Sequence, residues 1–222
     1  MSRPVDPAAR ALVIGAVGRV GEALINALMA RTDYTEVAVL ADQPVNLGIA
    51  RLAVCQKEEM PAARDLYMVL GGDEFATRRS FHGRDAPFVG VDESNGVALA
   101  GLAVEAGVKR IVLVAAAPSW QQIGALNQGL ASSLERGISE LAITRFAILR
   151  PLREARSSGV GVMQRFVNFY LSIQMLMVPR SVPVLTSDQV ARAAILAMAE
   201  PSAQSVAVFS AADIGRLLSP KA

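Results

Sequence analysis

With 222 residues, 52% of them apolar, the chain is long enough for one α/β domain with a large buried core. Its formal net charge is only +2 and its basic residues are dispersed, which argues against a nucleic-acid-binding surface or a polybasic tail. A single cysteine excludes an internal disulfide and fits a reducing compartment, so the expected location is the cytoplasm.

The first ten residues lack the apolar core of a secretory leader. Residues 11–14 are a short branched apolar run of the length of a buried parallel strand. Gly15, Gly18 and Gly21 follow three apart, and residues 22–31 carry the periodicity of an amphipathic helix. Strand, glycine turn and helix in this order make a phosphate cradle. Gly15 permits the tight turn, Gly18 lets the backbone approach a pyrophosphate, and Gly21 lets the helix pack closely on the strand. The helix N-terminus adds N–H donors and a partial positive charge. Val17, Arg19 and Val20 share this segment and are expected contacts with it. The competing reading is a glycine-rich turn that binds nothing, against which stands the destabilisation that three glycines bring without a ligand.

Residues 36–40 form the second expected strand. Asp42 stands just past it, about 20 residues beyond Gly21, where a carboxylate accepts hydrogen bonds from an adenosine ribose and repels a 2′-phosphate. NAD is then favoured over NADP, with Arg19 as the residue that argues the other way. The alternative for Asp42 is a turn-forming role before Gln43-Pro44. Residues 45–63 are poorly patterned, with a short edge strand expected around 51–55, in which Cys55 reads as a strand residue rather than a nucleophile. Residues 65–70 are a buried strand, and Gly71-Gly72-Asp73 follow at its carboxyl end, where small residues let a cofactor pass the backbone. Residues 74–87 form a polar loop of a length that fits a lid and hold the only histidine, His82. A lone loop histidine is more often solvated than catalytic.

Residues 88–106, with Val91, Val97, Leu99, Leu102 and Val104, are expected to be one long helix stopped by Gly107. Residues 109–114 form a further buried strand, with Ala115 and Ala116 at its ligand end. Residues 120–141 are expected to be helical, which puts Asn127 and Ala131 on one face at i, i+4. Residues 144–149 are the next strand, closed by Arg150-Pro151. Residues 160–177 read as an amphipathic helix whose Met163, Met175 and Met177 fit core packing or a subunit contact. A helix over 187–198, a last strand over 205–210 and a terminal helix over 212–218 complete the chain. Mean hydropathy is +0.36, yet no uncharged apolar run reaches the roughly 18 residues of a membrane span, and 166–178 is too short. Alternating strands and helices without a repeat predict an α/β fold, a doubly wound parallel sheet with helices on both faces. It is expected as one domain over 1–222 with a small C-terminal elaboration from about residue 152.

Residues 13–21 (VIGAVGRVG), 68–72 (MVLGG), Val91-Asp92, 105–114 (EAGVKRIVLV) and 148–151 (ILRP) occur in an order that resembles the atypical short-chain dehydrogenases/reductases. The resemblance is strongest to the Tat-interacting-protein-like group and its small bacterial relatives, and it spans nearly the whole chain. It implies a Rossmann domain that binds NAD(P), with adenosine over the first two strand ends and nicotinamide near the fifth and sixth. Ala115, Arg150 and Pro151 then join Gly15, Val17, Gly18, Arg19, Val20, Gly21, Asp42, Gly71 and Gly72 as expected cofactor contacts. Active members use a Ser after the fifth strand and a Tyr-x-x-x-Lys on the following helix. The Tyr exchanges a proton with the substrate oxygen, the Lys lowers its pKa and holds the nicotinamide ribose, and the Ser orients the substrate.

This chain departs from that set at all three places. The Ser position holds Ala115 or Ala116, and counting back from Arg150-Pro151 puts Asn127 at the Tyr and Ala131 at the Lys. None of the three tyrosines, Tyr34, Tyr67 and Tyr170, is followed four residues later by lysine. Asparagine does not titrate here and alanine offers no hydrogen bond. Three functions stand against one another: a degenerate NAD(H)-binding protein acting as redox-state sensor or partner-binding subunit, an oxidoreductase passing hydride to a flavin or quinone, and an interaction module without nucleotide. The glycine motif weighs against the third, and the missing set favours the first over the second. The expected partners are a dinucleotide and either another protein or a second copy. A replacement acid would have to be His82, Asp73 or Asp92.

Overall fold

Seven apolar runs become seven parallel strands in the computed structural model, which describes residues 9–45, 48–71, 88–116, 129–151, 185–200 and 205–219. They are β1 (Arg10–Ile14), β2 (Glu36–Leu40), β3 (Leu52–Cys55), β4 (Asp65–Val69), β5 (Arg110–Val114), β6 (Arg145–Arg150) and β7 (Val206–Ser210). Their order is β3-β2-β1-β4-β5-β6-β7, so the chain winds outward from β1 in one direction and then returns to lay β4 on its other side. That reversal opens a crevice at the carboxyl ends of β1 and β4.

The central strands are apolar at successive positions because both faces of the sheet are covered. Ala11, Val13, Tyr67, Val69, Val112 and Val114 pack under α1 (Gly18–Met29), with the later α4 (Ser187–Ala199) and α5 (Ala211–Leu218) on the same side. Leu12, Ile14, Leu66, Met68, Ile111 and Leu113 pack under α2 (Gly96–Glu105) and α3 (Ser133–Ser139). Reciprocal side-chain caps start α4 at Thr186 and Gln189 and α5 at Ser210 and Asp213. At the far end of α4, Arg110 donates to the Met198 carbonyl at 2.9 Å and Arg145 to the Ala197 carbonyl at 2.6 Å. Two strand arginines thereby satisfy the carbonyls that a helix leaves open.

The amino-terminal edge of the sheet is tied by a buried polar network. Asp65 accepts a hydrogen bond from the Tyr34 hydroxyl at 2.5 Å and from Arg64 Nε at 2.9 Å, and it lies 2.8 Å from Arg110 Nε. The Tyr34 and Tyr67 hydroxyls are 2.9 Å apart. Burial, reinforced by the Asp65 charge, pushes Tyr34 up to about 12; burial, then the charges of Tyr34 and Asp65, holds Tyr67 well above the ordinary phenol range. Both phenols are therefore neutral, and their hydroxyls belong to this network rather than to the carboxyl-edge crevice.

Two expected helices differ from the structure. Of residues 88–106, only Gly96–Glu105 is helical. Residues 88–91 instead run extended across the carboxyl ends of β2, β1 and β4. Val89 N–H donates to the Leu40 carbonyl at 3.1 Å, Gly15 N–H to the Val89 carbonyl at 3.1 Å, and Gly71 N–H to the Val91 carbonyl at 2.8 Å. The helix starts late because Asp92 Oδ1 accepts from the N–H groups of Ser94 (2.8 Å) and Asn95 (3.0 Å), while Asn95 Oδ1 accepts from Asp92 N–H (2.9 Å). Such side-chain bonds compete directly with helical ones. Within 120–141, the described helix is α3, which begins only after Ser132, whose hydroxyl accepts from Glu135 N–H at 3.2 Å. Ala131 therefore precedes the helix and does not lie on it. Asn127, Gly72, Asp73, His82, Tyr170 and the expected helix over 160–177 lie outside the described residues. Among the described residues, no helix is long and apolar enough to cross a membrane.

Candidate functional site

The three glycines after β1 are not required for one and the same reason. Gly15 has φ +81°, and a Cβ on it would run into the Val69 carbonyl oxygen and stand 3.1 Å from Val91 Cγ2. Gly21 is excluded from a side chain by the preceding turn, since its Cβ would lie 2.5 Å from the Ala16 carbonyl carbon. Gly18 also has a left-handed backbone, at φ +76°, but nothing among the described residues comes within 4 Å of the place its Cβ would occupy. Gly15 and Gly21 thus answer to packing, whereas Gly18 answers to its left-handed backbone.

Gly18 opens α1 at its N-terminus. Val17, the residue before the helix, makes no side-chain capping bond among the described residues, and the first turn carries no acidic side chain. The positive end of the helix dipole is therefore not offset by a carboxylate of its own first turn, as anion-binding helix ends require. Arg19 is exposed in that turn, and Val20 packs against the core on the α1 side.

The extended residues 88–91 lie along the same edge. Val89 and Val91 are buried on the α2 side, while Phe88 packs toward the α1 side and bridges Ala41, the residue before Asp42. Asp42 projects into solvent past the end of β2, and its Oδ1 lies 3.5 Å from Lys57 Nζ. Lys57 begins a 3₁₀ turn (Lys57–Glu59) beyond β3, brought alongside by the pairing of Leu40 with Cys55. Sequence reasoning missed Lys57, because its stretch is unpatterned and its neighbour lies on another strand. Cys55 itself is half-buried, donates to the Val39 carbonyl at 3.6 Å, and is pushed up to about 11 by burial. It is a neutral thiol, not an activated nucleophile.

At the other end of the crevice, Ala115 and Ala116 follow β5, and Ala115 N–H donates to the Leu149 carbonyl at 2.9 Å. Their methyl groups supply no proton donor or acceptor. Arg150, at the end of β6, is buried and paired with Glu135 Oε2 at 2.7 Å, and it also donates to the Gly129 carbonyl at 2.7 Å. Glu135 Oε2 in turn accepts from Ala131 N–H at 2.5 Å. The guanidinium expected to touch a cofactor is thus engaged by Glu135 and holds residues 129–131 against β6. The only sequence signal for Glu135 was its place three residues after the capping Ser132. Pro151 is buried, and Asp92 is exposed with its carboxylate committed to the turn before α2. Among the described residues, no group of three or more His, Cys, Asp or Glu could hold a metal ion. A groove of about 460 Å³ between α1 and α4, with Ala23, Ala27, Arg192 and Leu196 in its walls, reaches along α1 to Arg31, away from the helix N-terminus.

No protein-family model matches the sequence, and no curated protein does. Solved structures do match. MoeE5 in complex with UDP-glucose and NAD is 14% identical, covering 90% of this chain and 75% of its own, with a TM-score of 0.50. A short-chain dehydrogenase/reductase superfamily protein from Agrobacterium tumefaciens with bound NAD is 16% identical, covering 90% of this chain and 76% of its own, with a TM-score of 0.52. At these identities the likeness establishes the fold, which is the Rossmann-type α/β fold.

Proposed function

We propose that this chain binds NAD(H) across the carboxyl ends of β1, β2 and β4 and lacks the phenol-based proton relay of carbonyl reductases. It would act as a redox-state sensor or a partner-binding subunit, as a small atypical member of the short-chain dehydrogenase/reductase group resembling the Tat-interacting-protein-like proteins. The observation that carries the reading is the turn from β1 into α1, where Gly15 and Gly18 hold left-handed backbones at a helix N-terminus without an acidic side chain in its first turn. Both matched structures were solved with NAD, which supports the same ligand here. The pyrophosphate would lie over residues 15–21, beside Val17, Arg19 and Val20, and the adenosine ribose would meet Asp42. Gly71 and Gly72 would pass beneath the ligand, and Ala115 and Pro151 would flank its nicotinamide end. Arg150 would position residues 129–131 through Glu135. We further propose a single domain, with residues from about 152 as an elaboration, and a cytoplasmic location.

NADH, when bound, supplies a hydride, and this chain's own residues would bind and orient it. Ala115 and Ala116, at the end of β5, themselves offer no acid to protonate an alkoxide. The second reading, hydride transfer to a flavin or quinone, is favoured by those same two methyl groups, since such an acceptor takes its proton from solvent and needs no side-chain acid there. Titration of NADH into the wild type and Gly18→Asp tests the binding. A saturable heat and a raised Tm are expected in the wild type, and their loss in the variant, whose carboxylate faces the phosphates. A wild type with neither heat nor thermal shift at millimolar NAD(H) overturns both readings.

A further inference from the structure

A carboxylate alone beyond β2 would make a one-sided site, accepting ribose hydroxyls and repelling a phosphate in their place. In this chain the carboxylate has company. Asp42 and Lys57 stand past the ends of paired strands with their charged atoms 3.5 Å apart, and their side chains are 57% and 44% exposed. An ion pair so exposed is weak, so the ammonium is free to turn toward a ligand at little cost. Arg19 is exposed in the first turn of α1. A 2′-phosphate carries between one and two negative charges near neutral pH. It would meet one carboxylate and two cations, a balance opposite in sign to that of Asp42 alone.

We propose that Lys57 is a determinant of dinucleotide choice: it counters Asp42, so that this edge accepts NADP(H) beside NAD(H), with NAD(H) ahead. The inference rests on the dinucleotide reading above. A lysine suits this role because its point charge on a flexible stem can serve either anion, whereas an arginine fork would commit to one geometry. Asp42 still supplies the acceptors for ribose hydroxyls, which keeps NAD(H) the better ligand.

The test is the ratio of NADH to NADPH affinity, measured by calorimetry at low and high salt on the wild type, Lys57→Ala, Lys57→Glu and Asp42→Arg. The wild type is expected to prefer NADH by about tenfold or less. Lys57→Ala widens the ratio about three- to fivefold, the size of one exposed charge pair, with the change falling on NADPH. Lys57→Glu widens it further, and Asp42→Arg narrows or reverses it. Salt widens the ratio in the wild type more than in Lys57→Ala, because screening removes the cation's contribution. A ratio unchanged in Lys57→Ala, or a wild type that binds NADH alone, overturns the role of Lys57 and leaves the dinucleotide reading standing. A wild type that binds neither overturns both.

Discussion

A methyl group on Gly15 would collide with the carbonyl oxygen of Val69, so the turn that ends β1 is built against the backbone that ends β4. Gly18, three residues on, has a similar positive φ, and an added Cβ there meets no such neighbour among the described residues. The two positions should therefore separate folding from binding. Gly15→Ala adds overlap to left-handed strain and is expected to cost about 2–4 kcal/mol of stability. Gly18→Ala carries the strain alone, about 1–2 kcal/mol, while Gly18→Asp removes NADH binding. Urea unfolding beside NADH titration checks this, and equal destabilisation by both alanines would count against it.

Glu135 and Arg150 are both almost fully buried and lie 2.7 Å apart, so loss of either takes an ion-pair partner from the other. Glu135→Leu or Arg150→Met alone should cost about 3–5 kcal/mol, because a buried charge loses its ion-pair partner. The pair Glu135→Leu with Arg150→Met should cost less than the sum of its parts. Unfolding free energies of the two singles and the double decide the matter; simple additivity would mean the pair is not coupled.

Acid should weaken the fold partly through Asp33. A hydrogen bond from Arg31, with Arg64 on its other side, lowers this carboxyl from the ordinary 3.8 to about 2. Since the folded value is the lower one, the stabilisation is complete above the unfolded value. It disappears as pH falls from about 4 through about 2. The group is 38% exposed, which limits its worth to about 1 kcal/mol or less. Comparing urea midpoints at pH 7 and pH 3, Asp33→Asn should lose less on acidification than the wild type. An identical loss would remove Asp33 from the account.

Carbonyl chemistry is expected to be absent. It requires a phenol near neutral pKa beside an ammonium, whereas Tyr34 and Tyr67 are neutral and tied to the Asp65 network. Loss of a general acid–base pair typically costs ~10²–10⁴ in rate, so slow turnover from proximity alone is compatible with this. A panel of aldehydes, ketones and sugar nucleotides with NAD(P)H, run beside flavin and quinone acceptors, is the measurement. Carbonyl turnover on the order of 1 s⁻¹ or faster would contradict the expectation and direct attention to His82, Asp73 or Asp92. Turnover confined to flavin or quinone would select the hydride-transfer reading.

Much of the architecture was legible along the chain. Runs such as 11–14 and 111–114 are apolar at every position, which a strand covered on both faces demands, and the glycine spacing marked the turn after β1. The periodicity over 88–106 misled, because Val91 and Leu99 fit one helical stripe while Asp92 and Asn95 between them bind each other's backbone. Apolar spacing carries no information about such local polar bonds. The same blindness placed Ala131 on a helix that Ser132 only begins to cap.

What the sequence determined by itself is local: which residues are apolar enough to be buried strands, where glycine is needed, and that no Tyr-x-x-x-Lys is present anywhere in the chain. The tertiary structure decided what stands beside what. It brought Lys57 from an unpatterned stretch to Asp42 by pairing β3 with β2. It set Glu135 against Arg150, and it laid residues 88–91 over the ends of three strands. These are contacts between distant segments. Their energies depend on distance, burial and charge in three dimensions, quantities that a one-dimensional pattern does not contain.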